Sequence, residues 1–117
     1  MSAFVEKLRA AQQRTRSALC LRLDVLTTQL PLPMLVFDEP LVPFARAAIQ
    51  ATSDLVCAYA VAPDVFLAEG AAGMAALERI TRLIPPDVPL VFDSAFGGDA
   101  WEAVLHARGA FEQFRAD

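Results

Sequence analysis

Apolar and polar positions along the chain alternate between a helical and a strand period. Over residues 3–14, Phe4, Leu8 and Ala11 share one helical face, while Glu6, Lys7, Gln13 and Arg14 lie largely off it. Ser2 stands where a helix N-cap is expected. Residues 17–24 switch to period two. Leu19, Leu21 and Leu23 point one way, Cys20, Arg22 and Asp24 the other, and the strand ends in a carboxylate. Residues 25–39 keep no period, and Pro31, Pro33 and Pro40 break any helix, which predicts a long loop of the kind that often carries function. A second helix is predicted over 41–52, with Leu41, Phe44, Ala45, Ala48, Ile49 and Thr52 in one stripe and Pro43 confined to its first turn. The unbroken apolar run 55–62 fits a strand covered on both faces, ended by Pro63. Residues 65–69 suggest a short helical turn. After Gly70, residues 71–84 form a helical stripe of Met74, Leu77, Ile80 and Ile84, stopped by Pro85–Pro86. A third strand is expected over 90–93. A last helix over 99–114 is expected to bury Trp101, Val104, Leu105, Phe111 and Phe114.

The resulting order, α-β-α-β-α-β-α, predicts an α/β fold with a parallel sheet. An N-terminal helix precedes about three parallel strands alternating with helices, which amounts to part of a (β/α) TIM barrel, whose closed form has eight strands. In such folds sites gather at the C-terminal strand ends, where this sequence places Asp24 and Asp93. Gly97–Gly98 precede the last helix, as a flexible loop or as a cradle of backbone N–H groups for an anion.

With 117 residues, 56% of them apolar, the chain supports one domain. A net charge of −4 without any basic run argues against a nucleic-acid surface. No apolar stretch has the length of a membrane span, and residues 1–7 lack the pattern of a signal peptide, so the cytoplasm is expected. Cys20 and Cys57 lie in apolar runs and read as reduced, buried thiols, and no Cys or His spacing suggests a metal. His106, the sole histidine, falls in a helical pattern and reads as a partly exposed structural residue.

Several stretches, in order, resemble one enzyme family: Phe4–Val5–Glu6–Lys7–Leu8, Leu19–Cys20–Leu21–Arg22–Leu23–Asp24, residues 51–59 (ATSDLVCAY), residues 70–79 (GAAGMAALER) and Phe92–Asp93. They are similar to the N-terminal part of orotidine 5'-phosphate decarboxylase, in its longer bacterial subfamily. The resemblance spans about residues 4–111 and implies a single truncated domain over 1–117. Members of that family convert orotidine monophosphate to UMP and CO2 without metal or cofactor, using alternating lysines and aspartates. The carboxylate crowds the departing carboxylate of the substrate, and a lysine stabilises and protonates the carbanion.

Residue by residue, the resemblance makes Asp24 the ribose-binding, substrate-side carboxylate and Asp93 the catalytic aspartate that opens the family's Asp-x-Lys-x-x-Asp motif. The other charged positions are replaced. The second-strand lysine falls on Ala60, the motif lysine on Ala95 and the second aspartate on Gly98, with Asp99 one position too late to be a clean substitute. The lysines that make the chemistry work are therefore missing. The resemblance accordingly implies a catalytically degenerate relative of pyrimidine-biosynthetic ancestry, a pseudoenzyme that binds a partner or a ligand such as a pyrimidine nucleotide. The alternative is an active or split decarboxylase completed by a second chain.

Arg22 replaces a small residue of the family's first strand and points the same way as Asp24. It either pairs with Asp24 or Asp93, the preferred reading, or stands as a solvated charge on an open face. A three-stranded sheet leaves two edges and an apolar face uncovered, because the runs 55–62 and 90–92 are too apolar for water. That predicts a homo-oligomer or a second protein chain over the sheet. Phe96 and Trp101 suit such a contact surface, although Phe96 also fits as a filler of space left by missing elements.

Overall fold

A computed structural model describes residues 2–94 and 98–117. Helix α1 (Ala3–Thr15) starts where its cap allows, with Ser2 Oγ accepting the Val5 N–H at 3.2 Å. Strand β1 (Cys20–Arg22) follows, then helix α2 (Leu41–Thr52), strand β2 (Ala58–Val61), the short helix α3 (Pro63–Ala68), helix α4 (Gly70–Leu83), strand β3 (Leu90–Phe92) and helix α5 (Ala100–Arg108), which widens into a π-turn over Gly109–Gln113. The strands form one parallel sheet in the order β1-β2-β3. Strands in chain order with a helix after each, and no closure, form an open segment of a (β/α) barrel.

The two faces of the sheet differ in what covers them. Tyr59 and Val61 of β2 are fully buried beneath α2 and α4, with Ile49, Leu77, Ile80 and Phe66 around them. The stripes expected on α2 and α4 supply this core. At the start of β2, Ala11 of α1 packs against Cys57 and Ala58. The long loop after β1 is partly ordered by 3-10 turns at Thr27–Gln29 and Leu32–Val36. Thr27 ties it to the start of α4, because its N–H and its hydroxyl both donate to the Glu69 carboxylate at 2.8 and 2.9 Å.

Four expectations are corrected. The first strand is three residues long, and Cys20 is exposed rather than buried, because β1 is an outer strand and Cys20 shares its open face with Arg22. In the run 55–62 only residues 56–61 are buried, and Leu55 is exposed. Val91, by contrast, reaches solvent at 36% exposure, on a sheet face of the kind expected to be left uncovered. Most distinct is α5. Trp101, Val104, Leu105 and Phe111 were expected inside and are 47–66% exposed. Of that set only Phe114 turns inward, stacking on Phe92 with ring centroids 5.5 Å apart. Beyond β3 there is no further described strand for the apolar side of α5 to cover.

The molecule is a slab of 45 × 39 × 18 Å. Its accessible surface is 7134 Å². A folded monomer of 12.7 kDa is expected to expose about 6,200 Å².

Candidate functional site

Because the three strands are parallel, their C-terminal ends share one rim. The register places Arg22 opposite Ala60, and Ala60 opposite Val91, in a single row across the sheet. Side chains along such a row project to the same face. Asp24 and Asp93 each follow two residues beyond their strand's member of that row, so they rise on the same side.

Arg22 joins them. Its Nη1 donates to Asp93 Oδ2 at 2.7 Å, and its Nη2 lies 3.3 Å from Asp24 Oδ1. Since β1 and β3 are not neighbours, the Arg22 and Asp93 side chains together bridge two strand separations, about 10 Å, across β2, whose residue in the Arg22 row is Ala60. A methyl group there leaves room for it. The expected pairing is thus realised with both carboxylates at once, while the Arg22 side chain stays 50% exposed. The hydrogen bond to Asp93, reinforced by the charge of Asp24, raises the guanidinium above its already high pKa.

Asp24 is the most buried member, with its side chain 9% exposed, and its Oδ1 also accepts the Ala62 N–H at 2.9 Å. It therefore latches the end of β1 to the end of β2. Asp93 is 61% exposed; among the described residues its side chain is held in the ion pair with Arg22, and its backbone N–H donates to the Val61 carbonyl at 2.8 Å.

Asp99 is engaged elsewhere. It is the N-cap of α5, with Oδ1 accepting the Glu102 N–H at 2.9 Å, a local role that its one-residue offset from the motif had left open. Gly98 is exposed. Ala95, the position of the motif lysine, lies outside the described residues, as do Phe96 and Gly97, the proposed contact residue and half of the anion loop. The sequence holds one lysine, Lys7, and it is paired with Asp117 at 2.9 Å. At the rim, then, one guanidinium serves two carboxylates. Such a set can accept hydroxyl hydrogen bonds on the carboxylates and can offer the remaining guanidinium N–H groups to an anion. It contains no ammonium group to deliver a proton. Among the described residues no group of three or more His, Cys, Asp or Glu is placed to hold a metal ion.

A cavity of about 540 Å³ lies off this rim, between β3 and α5, where Val91, Phe92, Leu105, Phe111 and Phe114 line it. Sequence reasoning placed these residues in the core and so missed the cavity. Its signal was present in the apolar face of the last helix, which has no fourth strand to cover among the described residues. His106 is exposed and also lines it.

No family model matches the chain. Individual relatives do. The chain is 38% identical over 115 residues to the orotidine 5'-phosphate decarboxylase of Thermomicrobium roseum, covering 98% of this chain and 41% of that protein. It is 40% identical over 114 residues to the enzyme of the same name from Roseiflexus sp., covering 97% and 42%. Among solved structures, a Toxoplasma gondii protein proposed to be an orotidine-monophosphate decarboxylase superposes with a TM-score of 0.86 at 34% identity, over 96% of this chain and 38% of that one. Leishmania donovani OMP decarboxylase gives 0.81 at 28% identity, over 98% and 42%. The chain spans about two-fifths of the length of the curated relatives it matches. Sequence and fold agree that this chain is similar to the N-terminal part of orotidine 5'-phosphate decarboxylase, as a three-stranded portion of that family's barrel.

Proposed function

We propose that this is an orotidine 5'-phosphate decarboxylase-like domain of pyrimidine-biosynthetic ancestry that does not decarboxylate by itself and acts through binding, with a pyrimidine nucleotide as its candidate ligand at Asp24 and Asp93. One observation carries the reading. Among the described residues the cation at the rim, Arg22, is bound to both carboxylates, and the residue paired with it in β2 is Ala60. A guanidinium is a poor proton donor because it stays charged at any physiological pH. General acid catalysis by a well-placed group is worth about 10^2–10^4-fold, and preorganised charge usually more. A rim with neither lysine lacks both contributions. Asp24 keeps the position the resemblance gives to ribose binding, and its carboxylate faces the open side.

The test is thermal unfolding with and without orotidine monophosphate or UMP at millimolar concentration, beside an assay for UMP formation. A ligand present at 100 times its Kd adds about 2.7 kcal/mol of stability. The expected outcome is a raised midpoint without turnover. Turnover by the isolated chain, or a cooperative transition that neither nucleotide moves, overturns the reading.

A second reading is favoured by the exposed apolar side of α5. The chain is then one piece of a split decarboxylase, completed by a polypeptide carrying further βα units. Its mark is decarboxylase activity that appears only when the two are co-expressed.

A further inference from the structure

We propose that Cys20 and Cys57 are a redox pair, which a low-molecular-weight disulfide such as glutathione disulfide oxidises reversibly to a bridge between β1 and the start of β2. The inference uses neither rim carboxylate and stands apart from the nucleotide reading.

Placement carries it. Strict alternation along β2 would send Cys57 to the side of Tyr59 and Val61, into the core beneath α2 and α4. Cys57 packs instead with Ala58 against Ala11 of α1. The backbone shows the turn. The Tyr59 N–H donates to the Pro89 carbonyl, just before β3, whereas the Cys57 N–H points the other way and donates to the Leu19 carbonyl at 2.9 Å. The thiol follows, with Sγ donating to the same Leu19 carbonyl at 3.3 Å. That oxygen belongs to the peptide unit joining Leu19 to Cys20, so the Cys57 sulfur lies beside the Cys20 backbone. Ala58, the next residue after Cys57, is the register partner of Cys20. With strands about 4.8 Å apart and a rise of about 3.3 Å per residue, the two cysteine Cα atoms stand about 6 Å apart. A disulfide closes over Cα separations of about 4.4–6.8 Å.

Access sets the order of events. Cys20 is exposed and Cys57 is buried, so an oxidant from solution meets Cys20 first. Partial burial lifts the Cys20 thiol above its ordinary value, the nearness of Cys57 adds to the rise, and Arg22 pulls against both. Such a thiol ionises less readily but is the stronger nucleophile once ionised. The Cys20 thiolate attacks one sulfur of glutathione disulfide, forming a mixed disulfide and releasing one glutathione thiolate. The Cys57 thiolate then attacks the Cys20 sulfur. The bridge closes and the second glutathione leaves. Two protein thiols are oxidised, one glutathione disulfide is reduced, and the two thiol protons end on the two glutathiones. Because the second attack is intramolecular, it outpaces release of the mixed disulfide by a further thiol from solution.

The bridge would tie β1, a strand of three residues at the side of the sheet, to the central strand. It encloses residues 20–57, including the long loop and α2, and so removes freedom from the unfolded chain.

Treatment of the full chain with glutathione disulfide in native buffer, followed by intact mass and peptide mapping, tests this. The expected product is a single chain lighter by two hydrogens, with tryptic peptides 17–22 and 47–79 linked, and dithiothreitol should reverse it. The oxidised form should melt at least ~4 °C above the reduced one. Cys57→Ala should stop at the mixed disulfide and keep one glutathione on Cys20. Cys20→Ser should stay unmodified while folded, because the remaining thiol is buried. Far-UV circular dichroism checks that both variants keep the fold. A lasting glutathione adduct on Cys20 of the parent chain overturns the proposal. So does a disulfide between two chains, a parent whose two thiols both remain open to alkylation after the treatment, or an oxidised form that melts no higher than the reduced one.

Discussion

Arg22 and Asp93 meet at 2.7 Å although their strands are separated by a third, and the residue between them is Ala60. A methyl group at the middle position is small enough to leave the bridge room. Both partners are at least half solvent-accessible, so screening limits what the pair is worth. A double-mutant cycle with Arg22→Ala and Asp93→Ala should give a coupling of about 0.2–1 kcal/mol, the range for exposed pairs. Ala60→Lys should destabilise the protein, because the new ammonium enters the space the guanidinium crosses and faces it. In an Arg22→Ala background the same substitution should be tolerated, since the lysine then has Asp93 to itself. Urea unfolding of the four proteins decides this. A penalty for Ala60→Lys that is equal in both backgrounds would show that Arg22 does not occupy the space over position 60.

Asp24 has a structural task that its resemblance-derived role does not mention. Its Oδ1 accepts the Ala62 N–H at 2.9 Å in a half-buried setting. Asp24→Ala leaves that donor unpaired, which should cost about 1–3 kcal/mol. Asp24→Asn keeps an acceptor oxygen and should cost less, although it gives up the contact with Arg22. Thermal melts of the two variants separate the contributions. Equal midpoints for Asp24→Ala and the parent would mean that the carboxylate latches nothing.

The fold was legible because its signals are local and strong. Prolines 63, 85 and 86 mark real boundaries, the α2 and α4 stripes are the observed core, and Ser2 caps α1. The pairing of Arg22 was also readable, because period two placed it on the face of Asp24, although that it would hold both carboxylates depends on the register of three strands and cannot be read from one. What failed was the inference that apolar means buried. The face of α5 carries the same kind of pattern as α4, but burial depends on what the topology sets opposite, and beyond β3 no further described strand stands against it. Cys20 failed for the mirror reason, since it lies in an apolar run on an outer strand.

Gly73 sits where α4 passes the end of α3. A Cβ at this position would lie 2.0 Å from the Phe66 carbonyl oxygen and 2.6 Å from the Glu69 Cβ. The first obstacle is backbone and cannot rotate away, so Gly73→Ala must push the two helices apart. Overpacking of this kind costs about 1–3 kcal/mol or more. The usual gain of alanine over glycine inside a helix, about 0.5–1 kcal/mol, does not offset it. A lowered melting midpoint for Gly73→Ala is expected. An unchanged or raised midpoint would show that α3 and α4 do not approach this closely in solution.

Tyr59 gives the stability of the core a pH dependence. The residue is fully buried, with its hydroxyl 2.9 Å from Thr52 Oγ1. Thr52 in turn donates to the Ala48 carbonyl at 2.6 Å, which leaves the tyrosine proton pointing at the threonine oxygen or at the Ile49 carbonyl. Burial pushes the phenol above its ordinary value of 10.0, the Thr52 hydrogen bond pulls the other way, and Asp54 adds to the rise. The folded state therefore holds the proton after the unfolded chain has released it. Its contribution is fully present below pH 10 and is lost as the pH climbs through the higher folded value. Cys20 acts with the same sign from its ordinary value of 9.0, because partial burial of the thiol and the nearby Cys57 raise it against the pull of Arg22. In a Cys20→Ser background, stability should stay level to about pH 10 and then fall. Tyr59→Phe should lower stability at neutral pH by about 0.5–1.5 kcal/mol for the lost hydrogen bond, and should flatten the alkaline decline. Denaturant midpoints between pH 7 and 11 measure both effects. An alkaline slope that survives in Tyr59→Phe would place the titrating group elsewhere.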